Sequence, residues 1–344
     1  MISGPFARGA TAAALLLLAG PSATTQTRTP DTHADAVVTS LTLFAGTAEG
    51  LWRSRDWGGS WQRVEGRGAE ALEGFGAVRA LQPLGPQVYA AGDGGVALSD
   101  DFGQTWLRVS ESRSVTCVMA SRFPQADPTV FIGTDAGLFR STDAGRHFKP
   151  TALIGTAVHR LEWPGPALVA ATGGGVRLSV DAGDTFTPAG AGLPAGDVQA
   201  IAVSSFFVMD PVLFAAPGAE GVFRSSDGGR TWTAAGLTGR RASDLVWLGP
   251  LLYAATDDGV HRSEDAGAHW MRLDEGLRGV RATRLLFPLA PDVGAEVFLG
   301  TESGLFRSTD GGQHWSASGL AGRAVLTVAT FPSPPRSAAR KGRR

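Results

Sequence analysis

Cysteine is all but missing from this chain: Cys117 is the single one in 344 residues. Intramolecular disulfides are therefore impossible, and so is any paired-thiol metal or redox site. Tyrosine is nearly as scarce, with only Tyr89 and Tyr253. Charged residues are sparse at 18% and the net charge is −1, so no long-range field draws the molecule to nucleic acid. The apolar run Ala10–Ala19 falls well short of the roughly 20 residues a membrane helix needs, and no other segment approaches that length. Phosphate-loop and nucleophile-elbow motifs are absent, and Gly173–Gly175 reads as a turn between strands. The histidines form no H-x-x-H pair and the acids no cluster, so no metal, cofactor or catalytic residue is assigned.

The short apolar run has another use. Arg8 precedes it, and the small residues of GPSA follow it. This is the order of a cleavable secretory signal, expected over residues 1–23, with a Thr-rich linker over residues 24–36. The mature chain is expected outside the cytoplasm, periplasmic or secreted, with no membrane span. Residues 333–344 are basic and Pro-rich and read as a disordered tail.

What is abundant is glycine, at 47 residues, together with 9 Trp and 17 Phe. Short strands joined by tight turns use such a composition. One pattern recurs seven times. Ser54–Trp61 reads SRDWGGSW and Ser308–Trp315 reads STDGGQHW, with sister copies starting at Ser99, Ser141, Ser179, Ser225 and Ser263. Successive serines are 45, 42, 38, 46, 38 and 45 residues apart, the length of a four-stranded propeller blade. A short strand pair precedes each copy, as in Val130–Arg140 and Val297–Arg307. An alternating run lies upstream, and the closing Trp or Phe opens another strand, which makes four antiparallel strands per repeat.

The expected fold is all-β: a single seven-bladed β-propeller over residues 37–332. Each blade buries its face against the next, so a long chain still forms one domain. The first repeat starts at Leu41 without an inner strand, and Ala324–Phe331 is a strand without partners. That C-terminal strand is expected to complete the first blade and so remove the open edges. In each copy one aspartate (Asp56, Asp101, Asp143, Asp181, Asp227, Asp265 or Asp310) is placed to accept backbone N–H bonds across its turn. The glycine two positions on suits a positive φ, and the aromatic pins the hairpin. One carboxylate per copy is too few for calcium, so these aspartates read as structural.

The seven copies resemble the Asp-box (BNR) repeat propellers, a group that includes sialidases, xyloglucan-degrading glycoside hydrolases, sortilin-type receptors and photosystem II assembly/stability factors. The resemblance covers roughly Leu41–Phe331 and specifies fold rather than activity. In length and leader the chain is most similar to the last group. Sialidase chemistry, as the resemblance implies it, needs a Tyr nucleophile and three arginines. Tyr89 and Tyr253 instead take second-strand positions filled elsewhere by Phe131, Phe214 and Phe298, and so read as packing residues. The xyloglucan enzymes use two facing propellers, and this sequence has length for one.

Alternating strand directions start all the inner strands at one mouth of the central channel. Aligning them puts Arg79, Thr116, His159, Gln199, Ser243 and Thr283 at one level, with Cys117, Arg160, Asp244, Arg284 and Thr327 at the next. Arg240, Arg241, Arg278, Arg281 and Arg323 lie in the loops just before. The candidate ligand-binding residues are Arg79, His159, Arg160, Asp244 and Arg284. Two readings stay open. Guanidinium groups suit carboxylate or phosphate recognition. The same arginines could instead pair with Asp244 and with the turn acids Glu49, Asp93, Asp135, Glu220, Asp257 and Glu302. The expected function is a monomeric, non-enzymatic interaction or scaffold propeller that binds a protein or peptide partner, anionic ones included, at this mouth. The alternative is a carbohydrate-active or carbohydrate-binding propeller of glycoside hydrolase type, with Asp244 and a turn acid as its carboxylate pair.

Overall fold

Alternation and turn chemistry produce seven four-stranded antiparallel sheets, seen in a computed structural model that describes residues 41–332 except 66, 67, 69, 112, 113, 166, 278 and 289–294. The expected leader, linker and basic tail, and the loop residue Arg278, lie outside the described residues. The innermost strands of blades 2 to 7 are Val78–Leu84, Val115–Ala120, Val158–Glu162, Val198–Val203, Ala242–Leu248 and Ala282–Leu286. Blade 1 takes Val325–Pro332 as its innermost strand, paired antiparallel with Leu41–Thr47 from Leu41↔Pro332 to Thr47↔Val325. The chain thus closes its own ring. No helix among the described residues is long and apolar enough to cross a membrane.

The second strands, such as Val130–Thr134, Leu168–Thr172 and Val297–Thr301, are buried along their whole length. Their sequences are continuously apolar or small because both faces meet neighbouring blades. Seven apolar clusters result, one at each blade interface. At the seam, Leu43, Ala45 and Val328 of blade 1 pack on Phe298 and Leu305 of blade 7. There Trp61 Nε1 also donates to the Ser318 carbonyl at 2.7 Å. Tyr89 and Tyr253 are buried at such interfaces, and each hydroxyl donates to a backbone carbonyl of the next blade's turn.

The repeated turns follow the third strand of each blade. In all seven the serine hydroxyl donates to the aspartate Oδ1 at 2.6–2.8 Å. It also accepts the N–H of the glycine four residues on, at 2.8–2.9 Å. The same Oδ1 takes the backbone N–H of the Ser, Thr or His just beyond, at 2.8–3.0 Å. The serine, buried in every copy, is thus as much the hub as the aspartate. Positive φ extends to the residue before the glycine, including the non-glycines Trp57, Phe102, Ala144, Ala182 and Ala266.

These bonds hold the carboxylates low. Asp56 sits at about 2 through the Ser60 hydroxyl, Asp181 at about 2 through the Thr185 hydroxyl, and Asp265 at about 2 through the His269 N–H. Asp143, Asp227 and Asp310 lie lower still, chiefly through the Ser141 hydroxyl, the Thr231 hydroxyl and the His314 N–H respectively. A carboxylate held below its unfolded value of 3.8 adds stability above that pH and loses it as pH falls through its folded value. The melting temperature is therefore expected to drop steeply between about pH 4 and pH 2, read by calorimetry. A flat profile through that window would show that the turns contribute nothing.

Candidate functional site

Each inner strand carries a one-residue bulge at the same level. The bulged residues are Arg79, Thr116, His159, Gln199, Ser243, Thr283 and, in the closing strand, Leu326. A bulge leaves a residue out of the ladder and re-aims its side chain. All seven converge on one cavity of about 220 Å³ at the channel mouth, whose wall also includes Arg160 and Arg284. Three of the seven serve the fold. Thr116 donates to the Val158 carbonyl, Ser243 to the Ala282 carbonyl at 2.7 Å and Thr283 to the Val325 carbonyl at 2.6 Å, each on the following blade.

The others are more available. His159 Nε2 lies 2.7 Å from Asp197 Oδ1, and Gln199 donates to the other oxygen at 3.1 Å, which makes a three-residue polar group across blades 4 and 5. Arg79 pairs with Asp93 at 3.0 Å, with both side chains more than two-fifths exposed. The loop arginines behave similarly: Arg240 meets Asp258, Arg281 meets Glu302, and Arg323 meets Glu49, each within its own blade. Arg241 lines a neighbouring crevice and makes no ion pair among the described residues. The turn acids Asp135, Glu220 and Asp257 also make none there. The mouth is therefore a mosaic of both charges rather than a bare cationic patch.

One level deeper, Asp244 is 1% exposed and does not line the mouth. Its Oδ1 lies 3.2 Å from Arg160 Nη1 and 3.4 Å from Arg284 Nη1, and its Oδ2 accepts the Leu285 N–H at 2.9 Å. Burial pushes this carboxyl above the usual range, with Arg160 opposing. Burial also works against the charge on Arg160, but Asp244 and Glu162 outweigh it and leave its pKa raised. Both oxygens of Asp244 are engaged, so it cannot serve as a free member of a carboxylate pair. Cys117 stands beside this level, buried, with its thiol pushed up to about 11 by desolvation.

Arg79, His159, Arg160 and Arg284 are thus brought together, while Asp244 holds two of them from beneath. Sequence alignment missed Asp197, Asp258, Leu326 and Glu162. Glu162 could have been found, because it lies two residues from Arg160 on a strand and so shares its face. Leu326 was hidden because an apolar residue in an inner strand ordinarily points to the core.

No family profile matches this chain, and no curated protein matches it. Solved structures do. An ancestral GH74 enzyme superposes with TM-score 0.55 at 19% identity, over 69% of this chain and 40% of that one. YCF48 bound to D1 peptide gives TM-score 0.53 at 18% identity, over 69% and 79%. YCF48 from Cyanidioschyzon merolae gives 0.58 at 14% identity, over 85% and 91%. The chain spans well under half of the GH74 enzyme's length. At these identities the likeness establishes a shared propeller fold and nothing about chemistry.

Proposed function

We propose that this propeller is a binding module that takes a peptide segment of a partner protein at the bulged mouth. The observation that carries the reading is the seven-fold bulge, which aims chemically unlike side chains into one small cavity. Arg79, His159, Gln199 and Leu326 offer donors, an acceptor and an apolar contact, a mixture suited to reading side chains along a peptide. The cavity is smaller than the roughly 300 Å³ at which drug-sized pockets begin, which suits a narrow protruding segment better than a large ligand. The exposed ion pairs around it are individually weak, so a partner carboxylate can displace Asp93 or Glu302 from its arginine at little cost. A like-shaped propeller, YCF48, is solved bound to D1 peptide, which supports peptide binding as such. A glycosidase reading has less support, since the carboxylate best placed for it, Asp244, is buried and engaged.

The test is selection from a displayed random-peptide library on the purified chain. Enriched sequences are expected to bind the parent and to lose on the order of thirtyfold in affinity with the combined Arg79→Ala, His159→Ala and Gln199→Ala variant. Equal binding to the folded triple variant would remove the mouth as the site.

A further inference from the structure

Beyond the Arg160–Asp244–Arg284 bar the channel opens again, towards the end where the inner strands finish, into a chamber of about 450 Å³. That volume lies within the range of small-molecule sites. Its walls are largely apolar, with Leu81, Met119, Leu161, Leu286 and Phe287 among them. Glu162, Arg160, Arg284 and Gln82 line it too, as do Thr327, Thr330 and Cys117. Gln82 is used up, donating to the Ala120 carbonyl and accepting its N–H. Glu162 and Arg284 are not. Among the described residues the Glu162 carboxylate, one-third exposed, has one ion pair, a long one at 3.5 Å to Arg160 Nε. Arg284, about one-fifth exposed, has one ion pair among the described residues, a long one to Asp244. No ion pair joins Glu162 to Arg284 among the described residues, although both line the same chamber.

A half-satisfied acceptor and a half-satisfied donor fork therefore face one apolar space without meeting. Arg160 and Arg284 are balanced by Asp244 and Glu162, so these four groups are neutral together, with the exposed Arg122 acting on Glu162 from outside them. A ligand with one net charge would leave that charge uncompensated away from bulk water. A wholly apolar ligand would desolvate both polar groups and satisfy neither. We propose that this chamber binds the zwitterion of an apolar amino acid, its carboxylate on the Arg284 fork, its ammonium on Glu162, and its side chain among the leucines and Met119. Burial pushes the Glu162 carboxyl above its ordinary value, the direction expected of a carboxylate whose cation is incomplete.

The experiment is calorimetric titration of the full chain with L-phenylalanine and L-leucine. Phenylalaninol, which lacks the carboxylate, and N-acetylphenylalanine, which lacks the ammonium, serve as comparison ligands. Saturable one-site binding of a parent amino acid is expected, weakened about tenfold or more in each analogue. Glu162→Gln, nearly isosteric, is expected to weaken the parent similarly and to leave peptide binding unchanged, because Glu162 does not line the mouth. Absence of saturable binding by either amino acid would overturn the proposal. So would analogues that bind as well as the parent, or an undiminished affinity in folded Glu162→Gln. Each of those results leaves the mouth reading standing.

Discussion

Deleting residues 324–344 is expected to abolish cooperative folding at room temperature, whereas deleting only residues 333–344 leaves the melting curve within a few degrees of the parent. The first truncation removes the innermost strand of blade 1, and with it Val325, Val328 and Phe331 from the core. Phe331 packs edge-on against Phe44 at 5.0 Å, and losing such a ring costs about 3–5 kcal/mol. The buried Val325 and Val328 add about 1.5–3 kcal/mol each. The total rivals the entire stability of about 5–15 kcal/mol typical of a folded domain. Leu43, Phe44 and Ala45 would also be left on an open edge, which invites association. The measurement is a thermal melt of both truncations by circular dichroism with light scattering. A residue 1–323 protein that melts like the parent would mean that the ring does not depend on its own closure.

Asp244→Ala is expected to destabilise by about 3 kcal/mol, the lower end for a broken buried ion pair because both arginine side chains stay about one-fifth exposed. For a propeller spanning residues 41–332 this is a fall in Tm on the order of 5 °C. The loss comes from two guanidinium groups left facing each other without their shared carboxylate. Replacing Arg284 as well, as Asp244→Leu with Arg284→Met, leaves Arg160 paired with Glu162 and is expected to recover most of it, since apolar packing of similar volume removes the uncompensated charge. Denaturant melts of the single and double variants decide the matter. If the double variant is no more stable than Asp244→Ala, the cost lies in lost packing and not in stranded charge.

The fold was readable because its determinants are local and repeated. The Ser-Asp turn restates itself in every blade, and the unpartnered strand at each end of the repeat array admits one solution. The level of Arg79, His159, Arg160 and Arg284 followed from the same alignment. What the alignment left open is whether those side chains face a ligand or pair with acids, and with which acid each pairs. Arg160 reaches Asp244 two blades away because Ala200, at the matching position of blade 5, is too small to intervene. That pairing depends on the ring's diameter, which no local pattern encodes. The bulges were invisible for a related reason: one unpaired residue changes the direction of a side chain without changing the hydropathy of the strand. Arg240 choosing Asp258 over its neighbour Asp257 is likewise a matter of turn geometry.

Hydrogen–deuterium exchange of the propeller with and without a library-selected peptide tests the binding surface most directly. Bulged residues expose backbone amides at the mouth, so a peptide seated there is expected to slow exchange in the segments around residues 79, 116, 159, 199, 243, 283 and 326. Protection confined to the turns at the opposite end of the channel, or spread evenly over the outer strands, would contradict that surface.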